Sequence, residues 1–283
     1  MRRPYSLILF AATGLLLNYT CFGLTHNGST GIENHSMSNQ SSGEQARVLW
    51  EQAIAAKGGR EKLLRVKNMV ISSRAVYETH LRKRNSWNQE RLLVFPDKEW
   101  HWTDMRPDVF GLRVEMYNYE MRIFYILTPE DSDKKVRQVA NYKRWEESTL
   151  SNAQILYFME TSWVKPLPIA AHQDKVNGQP VDIVQTEFFG QRIDFALHKV
   201  THLPVRISYY NKSITGRGPL TISNVDLSEY VEVDGIKIPR KVTPENSSTF
   251  NNRIQINVDY NEEVFVKPTT LEAGPETWRP KKK

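Results

Sequence analysis

Arg192-Ile193-Asp194-Phe195-Ala196-Leu197-His198 decides the fold class. Ile193, Phe195 and Leu197 alternate with Asp194, Ala196 and His198, and a period of two marks a strand with one greasy face and one wet face. The pattern returns in Ile254, Ile256, Val258 and Tyr260 against Gln255, Asn257 and Asp259. Further strand-like runs are Val181 to Phe188, Val205 to Tyr210, Leu220 to Val233, Ile236 to Val242 and Arg253 to Tyr260. Asn177-Gly178 and Asp234-Gly235 have the composition of two-residue hairpin turns, whose second position takes a positive φ that suits glycine. The C-terminal half is therefore an antiparallel meander covered on one side.

Working back along the chain, Asn68 to Tyr77 carries the same period, followed by Gln89 to Phe95, Glu99 to Thr103, Phe110 to Met116 and Met121 to Leu127. Before them Glu44 to Lys57 is helical: Ala46, Leu49, Trp50, Ala53 and Ile54 fall on one face. Gly58 caps it in a left-handed conformation, and Gly59 redirects the chain into a short helix, Arg60 to Val66. A further helix is expected over Ser151 to Glu160, with Ser151 as N-cap and Ile155, Leu156 and Met159 on one side. Pro166 and Pro168 forbid its continuation, and the charged stretch Asp131 to Arg144 has no period. The sum is a mainly β (α+β) chain with a single antiparallel sheet of about ten or eleven strands. A sheet of that size must curl or close, and the apolar helices are the natural filling of its concave side.

Arg2 and Arg3 precede an uncharged apolar run, Leu7 to Leu17, too short to span a bilayer. Residues 1–23 are thus expected to be a signal peptide cut after Gly23. The rival is acylation of Cys21, for which Asn18-Tyr19-Thr20 is a poor processing context. Residues 24–43 are expected to be a flexible leader, 44–270 the domain and 271–283 a basic tail. Cys21 is the single cysteine, so no intrachain disulfide and no cysteine-built metal site can form. The net charge is +6, and loss of Arg2 and Arg3 would leave +4. That is mild and gives no support for a nucleic-acid partner. Lys281, Lys282 and Lys283 could touch an anionic membrane, against the plainer reading of a solvated tail.

Several stretches in order resemble one family. They are Ala55-Ala56-Lys57-Gly58-Gly59-Arg60 before Leu63 and Val66, then Phe95-Pro96-Asp97-Lys98 before Trp100-His101-Trp102, and Met121-Arg122-Ile123-Phe124-Tyr125 before Pro129. Leu203-Pro204-Val205-Arg206 and Tyr230-Val231-Glu232-Val233-Asp234-Gly235-Ile236-Lys237-Ile238-Pro239 follow. The chain resembles the outer-membrane lipoprotein-sorting proteins, LolA-like periplasmic carriers and their lipid-carrying relatives. The resemblance implies a half-open β-barrel whose helices lid a hydrophobic cavity for acyl chains. It also implies a periplasmic location, and no cofactor. In the carrier an arginine before the proline latches the cavity; here Phe95 stands in that position, with Arg74 as a candidate substitute.

Trp100 and Trp102 are two apart and so share a face. With Leu49, Trp50 and Ile54, and with Ile155, Leu156 and Met159, they are the expected cavity lining; the plain alternative for each is ordinary core. His198 and His202 have the spacing of a helical metal pair, but a turn between strands removes its meaning. No nucleophile elbow, P-loop or dinucleotide-binding glycine pattern occurs, and no acid pair is marked for proton transfer. Three function classes stay open: a non-enzymatic carrier or sensor of an acyl ligand, an envelope protein–protein interaction module without a cavity, and a hydrolase of unfamiliar type.

Overall fold

Among the described residues twelve strands build the domain: β1 Asn68–Glu78, β2 Arg84–Val94, β3 Lys98–Asp104, β4 Leu112–Asn118, β5 Ile123–Leu127, β6 Leu167–Val176, β7 Gln179–Phe188, β8 Gln191–His198, β9 Pro204–Asn211, β10 Thr221–Val233, β11 Ile236–Pro244 and β12 Ser247–Ile256. The computed structural model describes residues 35–78, 84–106, 111–118, 123–127, 155–188, 190–211, 221–244, 247–266, 274 and 277–280. Two units separate at His35. Met1–His35 lies outside the described residues save for His35 itself, and Ser36–Lys283 is the unit described below.

The strands form one sheet in the order β5-β4-β3-β2-β1-β12-β11-β10-β9-β8-β7-β6. Neighbouring strands pair antiparallel throughout. Two meanders, β1–β5 and β6–β12, therefore meet back to back at the β1–β12 pair. The sheet is mainly β, curled and unclosed, with β5 and β6 as its edges. Both expected hairpin turns occur: Asn177 and Gly178 have φ of 51° and 81°, and Asp234 and Gly235 have 50° and 75°.

Two helices pack on the sheet, α1 His35–Lys57 and α2 Arg60–Leu64. The end of α1 is closed by Gly58 N–H to Ala55 O (3.1 Å) and Gly59 N–H to Ile54 O (2.9 Å). Gly58 has φ 125°, and a Cβ there would meet Gly235 O at 2.2 Å. Glycine is thus needed where the helix end abuts the β10–β11 turn.

Four expectations are corrected. β6 had no counterpart among the expected runs: its Pro168 and its charges Asp174 and Lys175 suit an edge strand, which needs no ladder on its outer side. Helix α1 begins at His35 and not Glu44, so part of the expected leader is helical. The expected helix over Ser151 to Glu160 is, within the described residues, a single 3-10 turn, Ile155–Phe158, and Ser151 lies outside them. The last strand ends at Ile256, before Asn257 turns the chain with φ 52°.

Register assigns every side chain to a face. The inner face, on which α1 packs, holds the main core: Met69 and Ile71 of β1, Leu93 of β2, Phe195 and Leu197 of β8, Ile207 of β9 and their neighbours, together with Trp50 and Ile54 of α1. The outer face of β1–β5 holds a second core of Val70, Leu92, Trp100, Val114 and Met116. A C-terminal strap covers it, contributing Val264, Phe265 and Trp278. Asn261 N–H bonds Trp278 O (2.7 Å), and Asn118 Nδ2 bonds Phe265 O (3.1 Å), fixing the strap to itself and to β4. Trp278 therefore belongs to the domain, although residues 271–283 were expected to be tail.

Candidate functional site

The buried stripe of α1 runs Ala46, Trp50, Ala53, Ile54 and Lys57, the spacing of one helix face. Trp50 meets Phe195 of β8 edge-on at 5.1 Å, a favoured aromatic geometry. Leu49 packs against the same cluster, and Met159 is buried in it just after the 3-10 turn. The structure thus brings Leu49, Trp50, Ile54 and Met159 together on the inner face. Ile155 and Leu156 stand in the 3-10 turn, and their side chains lie outside the described ones. Phe95 packs edge-on against Phe158 of that turn at 6.0 Å, an apolar contact where the carrier family has its arginine.

Trp100 and Trp102 do share a face, as their spacing requires, but it is the outer one. Trp100 pairs with Leu92 and Met116 across the sheet, and Trp102 packs against the strap cluster. The expectation that they join Trp50 is corrected: a whole sheet separates them. Alternation alone does not say which face is covered, and the strap supplies a second cover from far along the chain. Arg74 also falls on the outer face, exposed and bonded to Ser86 Oγ (3.1 Å), so it cannot substitute as an inner latch.

Lys57 was missed, although its place on the apolar stripe of α1 was visible. It is fully buried; its ammonium donates to Lys237 O and lies 5.0 Å from the Tyr230 ring. Burial pushes its pKa down to about 7. On the rim of the helix, Arg60 binds Glu51 of α1 (2.8 Å) and Glu160 beyond the 3-10 turn (3.1 Å). At the other end the Ser42 hydroxyl donates to Ala171 O (3.0 Å) and accepts from Ala171 N–H (3.1 Å), blunting edge strand β6. Among the described residues three polar ties therefore hold α1 over the apolar face.

The inner face of β2–β4 is different again. His101 Nδ1 meets Glu115 Oε2 (3.3 Å), and its Nε2 lies near Thr103 Oγ1 (2.9 Å) and Gln89 Oε1 (3.3 Å). Gln89 Nε2 donates to Ser73 Oγ (2.9 Å), Arg113 pairs with Glu115, and Arg91 lies 3.7 Å from Glu99. Burial, aided by the Arg91 charge, pushes the His101 pKa down to about 4. Burial alone would raise Glu115, but its hydrogen bond to His101 and the charges around it outweigh that and bring it to about 2. Sequence reading could have found this cluster, since Glu99, His101 and Thr103 alternate with the two tryptophans.

Elsewhere, His198 Nδ1 accepts from Val200 and Thr201 N–H (3.2 Å each), so it builds the β8–β9 turn. No cluster of three metal-ligating side chains occurs among the described residues. A surface groove of about 590 Å³ lies apart from the inner face, lined by Arg65, Lys67, Asn257, Val258, Tyr260 and Glu262, so that charged and apolar groups share it. No helix among the described residues is long and apolar enough to cross a membrane. Cys21, Lys281, Lys282 and Lys283 lie outside the described residues.

The sequence matches no family model and no curated protein. In structure the chain is similar to a LolA superfamily protein from Nitrosomonas europaea, at 11% identity and a TM-score of 0.51, over 78% of this chain and 97% of that one. An outer membrane lipoprotein-sorting protein domain from Vibrio parahaemolyticus gives 11% identity and a TM-score of 0.40, over 80% and 97%. MucB in complex with MucA gives 12% and 0.23, over 84% and 62%. The first of these establishes the fold: this chain has the LolA-type half-barrel.

Proposed function

We propose that this chain is an exported, non-enzymatic carrier or sensor that takes an acyl chain, alone or on a lipoprotein, between α1 and the inner face of β7–β11. The observation that carries the reading is that α1 covers the apolar face of an unclosed sheet with few polar ties: Ser42 to Ala171, Lys57 to Lys237 O, and Arg60 to its two carboxylates. Lifting the helix would open a trough between Trp50 and Phe195. Burial of each CH₂ of a chain in it is worth about 0.8 kcal/mol, so half a fatty chain reaches micromolar binding after association costs. The LolA-type fold supports the reading, as do Arg2, Arg3 and the Leu7 to Leu17 run for export. Lys281, Lys282 and Lys283 add an anionic-membrane contact to this proposal.

Native and denatured mass spectrometry of the purified chain, and its tryptophan fluorescence with a brominated fatty acid added, test it. A co-purifying lipid, or quenching lost in Trp50→Phe, is expected. Absence of both ends the carrier reading. The second reading, an envelope interaction module, is favoured by one observation: Trp50, Ile54, Phe158, Met159 and Phe195 fill the space beneath α1 in this structure.

A further inference from the structure

After the 3-10 turn the chain bends at Ser162 and Trp163 before it enters β6, and from Trp163 on its exposure alternates residue by residue. Trp163, Lys165, Leu167 and Ile169 are exposed, Ile169 at a bulge in the β6–β7 ladder, while Val164 and Pro166 are buried. The three apolar members are 49%, 60% and 42% exposed. Single exposed apolar residues are ordinary on any surface. Three on consecutive outward positions, with a lysine among them, are not.

The row is held at both ends. Thr161 N–H bonds Val164 O (2.8 Å), and Thr161 Oγ1 accepts from Trp163 N–H (3.2 Å) and Val164 N–H (3.0 Å). Beyond Ile169, both backbone groups of Ala171 are taken by Ser42. The same facts exclude one occupant. An added peptide strand needs a continuous run of free N–H and C=O groups, but Pro166 and Pro168 have no N–H and Ala171 is engaged.

We infer that the Trp163-Lys165-Leu167-Ile169 row is a docking strip for the surface of an anionic lipid bilayer. A tryptophan suits the headgroup level, aliphatic side chains enter the acyl boundary, and a lysine stem lies along apolar surface with its ammonium at the phosphates. Lys165 within the strip, and the +4 that remains after loss of Arg2 and Arg3, favour a negative surface over a neutral one. The strip needs only the outer row, so it stands whether or not the inner face takes a ligand.

The test is sedimentation of the full chain with phosphatidylcholine vesicles, with and without phosphatidylglycerol. Wild type is expected to pellet with the anionic vesicles. Trp163→Ser with Leu167→Ser should weaken that binding by ~100-fold, about tenfold for each anchor lost. Lys165→Glu should erase the preference for phosphatidylglycerol. Both variants should keep the wild-type urea midpoint, since the altered side chains are exposed. Failure of wild type to bind either vesicle overturns the inference. So does binding that survives the double substitution, or that is lost only when Lys281, Lys282 and Lys283 become alanine. Loss of a protein partner by the double variant, with vesicle binding intact, overturns it in favour of a protein interface.

Discussion

In β7–β11 the inner face is Val184, Phe195, Ile207 and Val225 under α1, and the outer face pairs Arg192 with Asp194 and Arg206 with Asp226. In β2–β4 the arrangement is reversed: Gln89, Arg91, Glu99, His101, Thr103 and Glu115 face inward, and Leu92, Trp100, Val114 and Met116 face outward beneath the strap. One continuous sheet thus changes polarity along its width. The change is made at β1, where Met69 and Ile71 join the inner core while Val70 joins the outer one. A ligand of apolar character therefore has one half of the inner face to use, the half beneath α1. The buried charges of β2–β4 must stay satisfied, because an unpaired buried charge costs several kcal/mol.

The largest effect should come from attacking the two cores separately. Trp100→Glu puts a carboxylate into the closed outer core and is expected to cost several kcal/mol, leaving the chain unfolded or its urea midpoint far lower. An undisturbed midpoint would mean that the strap does not cover Trp100. Alanine cycles sharpen the contrast. Trp100→Ala and Phe265→Ala should each cost about 3–5 kcal/mol and couple by about 0.5–3 kcal/mol, since they share a cluster. Trp50→Ala and Phe265→Ala, on opposite faces, should add within about 0.5 kcal/mol. Strong coupling there would mean that the inner core and the strap-covered core are not separate.

The next effect is on pH dependence, which the halves should answer in different windows. Lys57 in the apolar half has a pKa of about 7 against 10.5 when free, because burial strips its hydration. The unfolded chain then binds more protons between those values, so stability should rise with pH from 7 to 10.5, by at most about 1.4 kcal/mol per unit. Lys57→Met should flatten that rise and be the more stable protein at pH 7. In the polar half, His101 sits at about 4 against 6.5, again mainly through burial. Stability should fall as pH drops from 6.5 to 4, and His101→Gln should remove that part of the fall. Glu115, at about 2 against 4.5, extends the loss below pH 4.5. Urea titrations across both windows check the signs; a Lys57→Met profile that still climbs above pH 7 would relocate the buried cation.

Legibility in the sequence follows the same division. In β8 alternation reads out correctly: Ile193, Phe195 and Leu197 are inward as their pattern implies, and the two Asx-Gly turns fall where composition puts them. In β3 the alternation of Glu99, Trp100, His101, Trp102 and Thr103 was equally plain, yet its sign was not. Periodicity tells which residues share a face and not which face is covered. The cover is Val264, Phe265 and Trp278, more than a hundred positions away and outside any strand. β6 was hidden for another reason, since an edge strand need not look like one.

The smallest expected effect tests which half yields first. Arg60 ties α2 to Glu51 of α1 and to Glu160, but its side chain is 41% exposed and that of Glu51 58%. Solvent screens such pairs, so Arg60→Ala should cost only up to about 1 kcal/mol, a barely visible shift in the global midpoint. Local opening is a finer gauge, because a segment can open at lower free energy than the whole domain. With one of its three ties gone, α1 should exchange its amide hydrogens up to about fivefold faster. Those of β3 and β4, which are held by the buried polar cluster and the strap, should keep their rates. Equal acceleration in both places would mean that helix and sheet open as one unit, leaving no separate lid motion to admit a ligand. Acceleration confined to α1 would mark the helix as the movable part, and the apolar half as the one built to open.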